Sequence, residues 1–331
     1  MRCLTLAHTL HGRGAAVVFI CREYTGHLCD QIEADGFTVH RLPLSAAPGA
    51  LTSAIDAAES RRALEHLGQP ADLLVVDHYG LGRSWERALR PLARRILAID
   101  DLADRPHDCD VLLDQNLHDS PETRYVGLVA ASTRVFVGPQ YALLRPEFER
   151  VAPRVRDSGL KRMLIFFGGA DRTNEALKLV QALGVLAERS PPTVMVLGAI
   201  NPHAQEVRRS ALALERLRLI VSTTEMAHLM DEADLAVGTC GGAAWERCLL
   251  GLPTLVVVSA ENQRDDARIL HSLGAVRNLG NACDVGVSEW AGQIAAVQED
   301  PAGLKAMSRA AAAVMQGRGQ AVHEFETALA L

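Results

Sequence analysis

Aromatic side chains are scarce in this chain, at 4% of 331 residues. That argues against a core of stacked rings and suits an interior of alanine, leucine and valine between helices and sheets. Basic charge is short as well. Lysine and arginine number 34 against 40 acidic residues, a formal net charge of −6. A dedicated nucleic-acid binder usually carries a basic face, so no nucleic-acid partner is expected. Anionic small molecules stay open, because a few local donors suffice for them. The cysteines Cys3, Cys21, Cys29, Cys109, Cys240, Cys248 and Cys283 are scattered, odd in number and without a C-x-x-C pair. Such usage reads as reduced thiols rather than a disulfide framework. No apolar run approaches the roughly 18 residues of a membrane span. Met1 to His11 is too short and polar for a signal-peptide core. The expectation is a cytoplasmic protein with no membrane partner. Composition fixes no oligomeric state.

What is present is an alternation of strand-length apolar runs with helical patterns. Strands are expected at Ala16–Cys21, Thr38–Leu42, Leu73–Asp77, Arg95–Ile99, Val111–Leu113 and Arg134–Val137, then at Arg162–Phe167, Thr193–Leu197, Leu217–Val221, Leu235–Val237 and Thr254–Val258. Helical stretches such as Ser53–Leu67, Arg83–Ala93, Asn174–Arg189, Met226–Glu232 and Gln263–Leu273 lie between them. This pattern predicts an α/β protein with parallel sheets covered on both faces. The length suits two domains. The charged, proline-interrupted stretch from Pro146 to Leu160 reads as the seam, giving domains over 1–150 and 151–331 with a C-terminal helix in the second. Each is expected to be doubly wound and Rossmann-like, with ligand in the interdomain cleft at the C-terminal ends of the strands. The chain opens on a helical stripe (Leu4, Leu6, Ala7, Leu10) where such a domain normally begins with a strand.

The run Gly238-Thr239-Cys240-Gly241-Gly242-Ala243-Ala244-Trp245-Glu246-Arg247 carries the most chemistry. A short strand enters a glycine turn and leaves as a helix. Glycines let backbone approach an anion, and N–H groups at a helix start can receive it. Gly241, Gly242 and Ala243 are therefore candidate diphosphate contacts. Glu246 can accept two hydrogen bonds from ribose hydroxyls, against the plainer reading of an acid near a helix N-terminus. Gly168 and Gly169, after another strand, allow the same close approach, while Asp171 and Thr173 read as caps of the next helix. Tyr79 ends a strand at a loop and is a candidate donor to a sugar or to attacking water; a buried tyrosine bonded to a neighbour is the rival reading. His78 reads as structural. Asn262 is either a helix cap or a group fixing sugar or water, with Gln263 beside it. Asp100, Asp101, Asp104 and Arg105 lack the spacing and histidines of a metal site, so no metal and no cofactor are expected. Arg105 reads as a paired structural cation. Trp245 reads as core, and Cys240 as a small spacer rather than a nucleophile.

Several phrases together resemble one known family. They are Val76-Asp77-His78-Tyr79-Gly80-Leu81, Ile99-Asp100-Asp101-Leu102-Ala103-Asp104-Arg105, Leu113-Asp114-Gln115-Asn116, Gly138-Pro139-Gln140-Tyr141-Ala142-Leu143-Leu144-Arg145-Pro146-Glu147-Phe148, Phe167-Gly168-Gly169-Ala170-Asp171 and the Trp245 to Gln263 segment. They are similar to the UDP-2,4-diacetamido-2,4,6-trideoxy-β-L-altropyranose hydrolases of pseudaminic acid biosynthesis, built on the GT-B glycosyltransferase architecture. The resemblance implies a UDP-sugar partner and metal-independent hydrolysis, with water displacing UDP at the anomeric carbon with inversion. It implies UDP on the second domain and sugar on the first, with Tyr79 and Asn262 in catalytic positions. An inverting glycosyltransferase, or a nucleotide-sugar binder without turnover, are the alternatives. Family members open with a strand and a G-x-G-H-x-x-R loop whose histidine is the proposed catalytic group; Arg2-Cys3-Leu4-Thr5-Leu6-Ala7 matches the family's segment immediately after that loop. No residue here inherits that histidine's place. The expectation is a first domain with unpaired ladder groups that folds poorly, beside an intact second domain.

Overall fold

A computed structural model describes residues 1–44 and 52–329. The chain divides into two compact units, one of residues 1–143 with 317–331 and one of 144–316. Among the described residues, no helix is long and apolar enough to cross a membrane.

The first unit contains α1 (Arg2–Gly12), β1 (Val18–Arg22), α2 (Cys29–Ala34), β2 (Thr38–Leu42), α3 (Ser53–Glu65), β3 (Ala71–Asp77), α4 (Arg83–Leu89), β4 (Ala93–Ile99), β5 (Val111–Asp114) and β6 (Arg134–Val137). All its strand pairs are parallel, but they form two sheets rather than one: β1-β2, and β3-β4-β5-β6. Helix α1 packs against both. Leu4 and Ala7 meet Ile32 and Phe37 beside β1 and β2, while Leu6 joins Leu97, Ile99 and Leu113 on the larger sheet. A helix can serve two partners in this way because residues three and four apart share a face and its neighbours point elsewhere.

The second unit contains α5 (Pro146–Glu149), β7 (Met163–Phe166), α6 (Glu175–Leu186), β8 (Thr193–Leu197), α7 (Ala204–Ala211), β9 (Leu217–Val221), α8 (Met226–Glu232), β10 (Leu235–Thr239), α9 (Ala243–Leu249), β11 (Thr254–Val258), α10 (Arg264–Ser272), β12 (Val276–Asn281), α11 (Val287–Glu299) and α12 (Pro301–Val314). Its parallel sheet runs β12-β11-β10-β7-β8-β9. That is the doubly wound order in which the chain starts mid-sheet, winds one way, returns and winds the other, leaving a switch point between β7 and β10. Strands such as β10 and β11 read as continuous apolar runs because both faces are covered: Leu235, Val237, Leu255 and Val257 are all buried in one cluster with α6 and α11.

Two boundaries differ from the sequence reading. The stretch from Pro146 is no seam. Phe148 is fully buried among Leu164, Val196 and Met230, and the buried Arg156 donates to the carbonyls of Met230, Ala233 and Leu250. These bonds tie the segment into the second unit. Conversely, the final helix α13 (Arg318–Leu329) belongs to the first unit, where Phe325, Ala328 and Leu329 pack with Leu97, Ile99 and Phe136. Arg318 reinforces this by donating to the carbonyls of Gln140 and Ala142.

Candidate functional site

The register of the second sheet builds the site. Strand β7 pairs with β10 so that Phe166 lies opposite Gly238. The two glycine loops, Gly168–Gly169 and Gly241–Gly242, therefore leave adjacent strands at one level and at the switch point, where α/β sheets hold their ligands. Crowding there is severe. A Cβ on Gly238 would stand 2.4 Å from the Phe166 carbonyl oxygen, and one on Gly198, just past β8, 2.1 Å from that of Gly169. Gly168 itself adopts φ +84°, the left-handed region that favours glycine. Gly198 is a further crowded glycine beyond those the sequence singles out. Its signal was the same one used elsewhere, a glycine directly after a short apolar strand.

Around the second loop, Gly242 precedes α9 and Ala243 is its first residue. Glu246 lies on the first turns, 9% exposed, and accepts a 3.0 Å hydrogen bond from Arg145 Nε at Oε1. Burial pushes its carboxyl up from the ordinary range, opposed chiefly by that bond. Arg247 is buried behind the turn, donating from Nη2 to the Thr239 carbonyl. Cys240 is buried, and burial pushes its thiol up to about 12, so it is a spacer and no ready nucleophile. Trp245 is core, at 1% exposed.

The loop after β11 comes next to the glycine turn: Gln263 Nε2 is 3.8 Å from where a Gly241 Cβ would stand. Gln263 Oε1 accepts from the Ser259 backbone N–H at 3.2 Å, which fixes the side chain there. Asn262 is exposed in the middle of a 3₁₀ turn over Glu261–Gln263, one residue before the N-cap of α10. Asp171 is a cap. Its carboxylate receives the Glu175 and Ala176 N–H groups, each at 2.9 Å, while Thr173 is exposed.

In the first unit, Tyr79 follows β3 with half its surface exposed, its hydroxyl 3.4 Å from Asp101 Oδ2. The rival reading of a buried tyrosine does not hold. Arg2 binds Asp77 through Nε (2.9 Å) and Nη2 (2.6 Å) and reaches Asp101 from Nη1 at 3.4 Å. Burial would lift the Asp77 carboxyl, but the Arg2 bonds outweigh it and hold it below the usual range. At Asp101 burial prevails and the carboxyl is raised. His78 is structural, its Nδ1 accepting the Gly80 N–H at 2.9 Å. Arg105 is the paired cation expected, 2.8 Å from both Asp100 and Asp104. A buried network lies behind them: the Tyr125 hydroxyl is 2.9 Å from Asp114 and 3.2 Å from Asp100, and Arg124 Nε donates to Asp114 (2.9 Å). Its members sit up to 25 residues apart, with no motif to link them.

No protein-family model matches the chain. It is 31% identical over 157 residues to the spore coat polysaccharide biosynthesis protein SpsG of Bacillus subtilis, covering 46% of this chain and 45% of that one. It is 28% identical over 207 residues to the UDP-2,4-diacetamido-2,4,6-trideoxy-beta-L-altropyranose hydrolase of Campylobacter jejuni, covering 61% and 72%. The match thus spans less than half the length of the first relative. Among solved structures, UGT89C1 of Arabidopsis thaliana complexed with UDP superimposes with a TM-score of 0.64 at 13% identity, over 99% of this chain and 96% of that one. Likenesses of this kind establish the fold: the chain has the α/β GT-B architecture of glycosyltransferases.

Proposed function

We propose that this protein processes a nucleotide sugar, and that the reaction is hydrolysis of a UDP-linked diacetamido-trideoxy-altrose to UDP and free sugar. The observation that carries the nucleotide part is the pairing of two glycine loops on β7 and β10 with Glu246 beside them. Backbone N–H groups of Gly168, Gly169, Gly241, Gly242 and Ala243 would receive the diphosphate, and Glu246 the ribose hydroxyls. Gln263, held beside Gly241, would contact the same ligand. The likeness to the Campylobacter hydrolase supports the sugar and the use of water.

In this reading water attacks the anomeric carbon with inversion. The carbon–oxygen bond breaks, its electron pair stays on the β-phosphate oxygen of departing UDP, and the proton lost by the attacking water passes to solvent. The backbone donors stabilise that developing charge without reorganising, which is the largest contribution such sites make. Asn262 is assigned to fixing sugar or water. His78 Nδ1 accepts the Gly80 N–H, so in this reading that nitrogen is not the base.

The test is incubation with the UDP-altrose substrate, in EDTA and without acceptor, followed by chromatography of nucleotide and sugar. Equal amounts of UDP and free sugar, at a rate EDTA leaves unchanged, are expected. UDP release only upon adding a sugar acceptor makes the protein a glycosyltransferase. A rise in melting temperature with UDP but no released sugar makes it a binder without turnover.

A further inference from the structure

We infer that Arg145 is a positioning residue that holds Glu246 ionised and aimed so that it can accept a ribose diol. The inference rests on the ribose role proposed for Glu246.

Glu246 must carry a full negative charge to accept two hydroxyl hydrogens, because a protonated carboxyl gives up one acceptor and becomes a donor. Its surroundings work against that charge. The carboxylate is almost buried, and burial disfavours the ionised form. The charged groups that act on it most are Arg145, just before α5, Glu147 within α5, and Arg247 from its own helix. Glu147 repels the charge. Arg247 is directed at the Thr239 carbonyl behind the turn. Arg145 alone makes a hydrogen bond to the carboxylate among the described residues, Nε to Oε1 at 3.0 Å.

The arginine is itself fixed on three sides. Its Nη1 is 3.1 Å from Glu147 Oε1, and its guanidinium carbon lies 4.8 Å over the Phe148 ring. Phe148 is fully buried, so the surface beneath the guanidinium does not yield. A planar guanidinium stacked on a rigid ring offers its Nε–H in one direction, which a lysine ammonium does not reproduce. One bond at Oε1 leaves the remaining carboxylate lone pairs for two hydroxyls.

The sign of the pH effect is set by these charges. Without Arg145, burial and Glu147 are opposed more weakly, by Arg247, so Glu246 loses its proton only at higher pH. UDP affinity in Arg145→Met should then reach its plateau at a higher pH than in the unaltered protein. The experiment measures Kd by calorimetry from pH 5 to 9 for UDP and for 2′,3′-dideoxy-UDP, using the full chain and the variants Arg145→Met and Arg145→Lys. The expected result is a shifted profile for UDP and a superimposable one for the dideoxy analogue. Arg145→Lys should recover the pH midpoint in part, by charge, but not the full affinity. Equal weakening of both nucleotides at every pH would make Arg145 a packing residue and overturn the inference. If the unaltered protein binds UDP and the dideoxy analogue equally, the ribose role of Glu246 falls instead. Far-ultraviolet circular dichroism and the urea midpoint of each variant separate misfolding from loss of positioning.

Discussion

The Gly169 carbonyl oxygen and the α-carbon of Gly198 are so close that a methyl group on Gly198 would stand 2.1 Å from that oxygen. The neighbour is backbone and cannot rotate away. Gly198→Ala should therefore displace the Gly168–Gly169 loop and lower stability by about 1–3 kcal/mol, the usual range for overpacking. Urea denaturation measures this. An unchanged midpoint would contradict the crowding described for the switch point.

Asp171 supplies both carboxylate oxygens to the start of α6 while standing at φ +41°. Asp171→Ala loses both bonds and should cost about 1 kcal/mol. Asp171→Asn keeps an acceptor and tolerates the left-handed region better than most residues, so it should cost less. Equal losses in the two variants, read from urea midpoints, would sink the cap assignment.

Burial pushes the thiols of Cys240 and Cys248 up to about 12 each. The sign is fixed: unfolded thiols ionise near pH 8.5, while the folded protein keeps them protonated to higher pH. The unfolded state therefore binds fewer protons over that window, and stability falls as pH rises through it. The double variant Cys240→Ala/Cys248→Ala should show a smaller drop in urea midpoint between pH 8 and 10. Native thiol labelling at pH 8 should modify the exposed Cys283 and spare both buried residues. Fast labelling of Cys240 would refute their burial.

Strands β1 and β2 pair only with each other among the described residues. A two-stranded sheet is marginal by itself, and Val18 and its neighbours are only partly covered. Limited proteolysis should cut first within residues 18–42, leaving the second unit as a resistant fragment. Uniform resistance of both units would contradict this.

Much of the site was legible beforehand because its chemistry is local. Glycines two residues after Phe166 and Thr239, and an acid four residues beyond Gly242, declare themselves in sequence order. Three features were hidden for physical reasons. Strand β12 carries Arg277, Asn278 and Asn281 at the sheet edge, so it lacks the apolar run that marked its neighbours. Helix α13 has an ordinary helical period, which does not say which unit it covers; contacts of Phe325 with Phe136 decide that. The Arg145–Glu246 bond joins residues 101 apart, a distance no periodicity spans.

We propose that the second unit seats UDP through its paired glycine loops and Glu246. Calorimetric titration of UDP into the protein and into Glu246→Gln tests it most directly. Saturable binding by the unaltered chain is expected, with affinity at least about tenfold weaker in the variant, the roughly 1.4 kcal/mol or more that a charge-assisted hydrogen bond contributes. Equal affinity in both, or no binding of UDP by the unaltered chain, would contradict it.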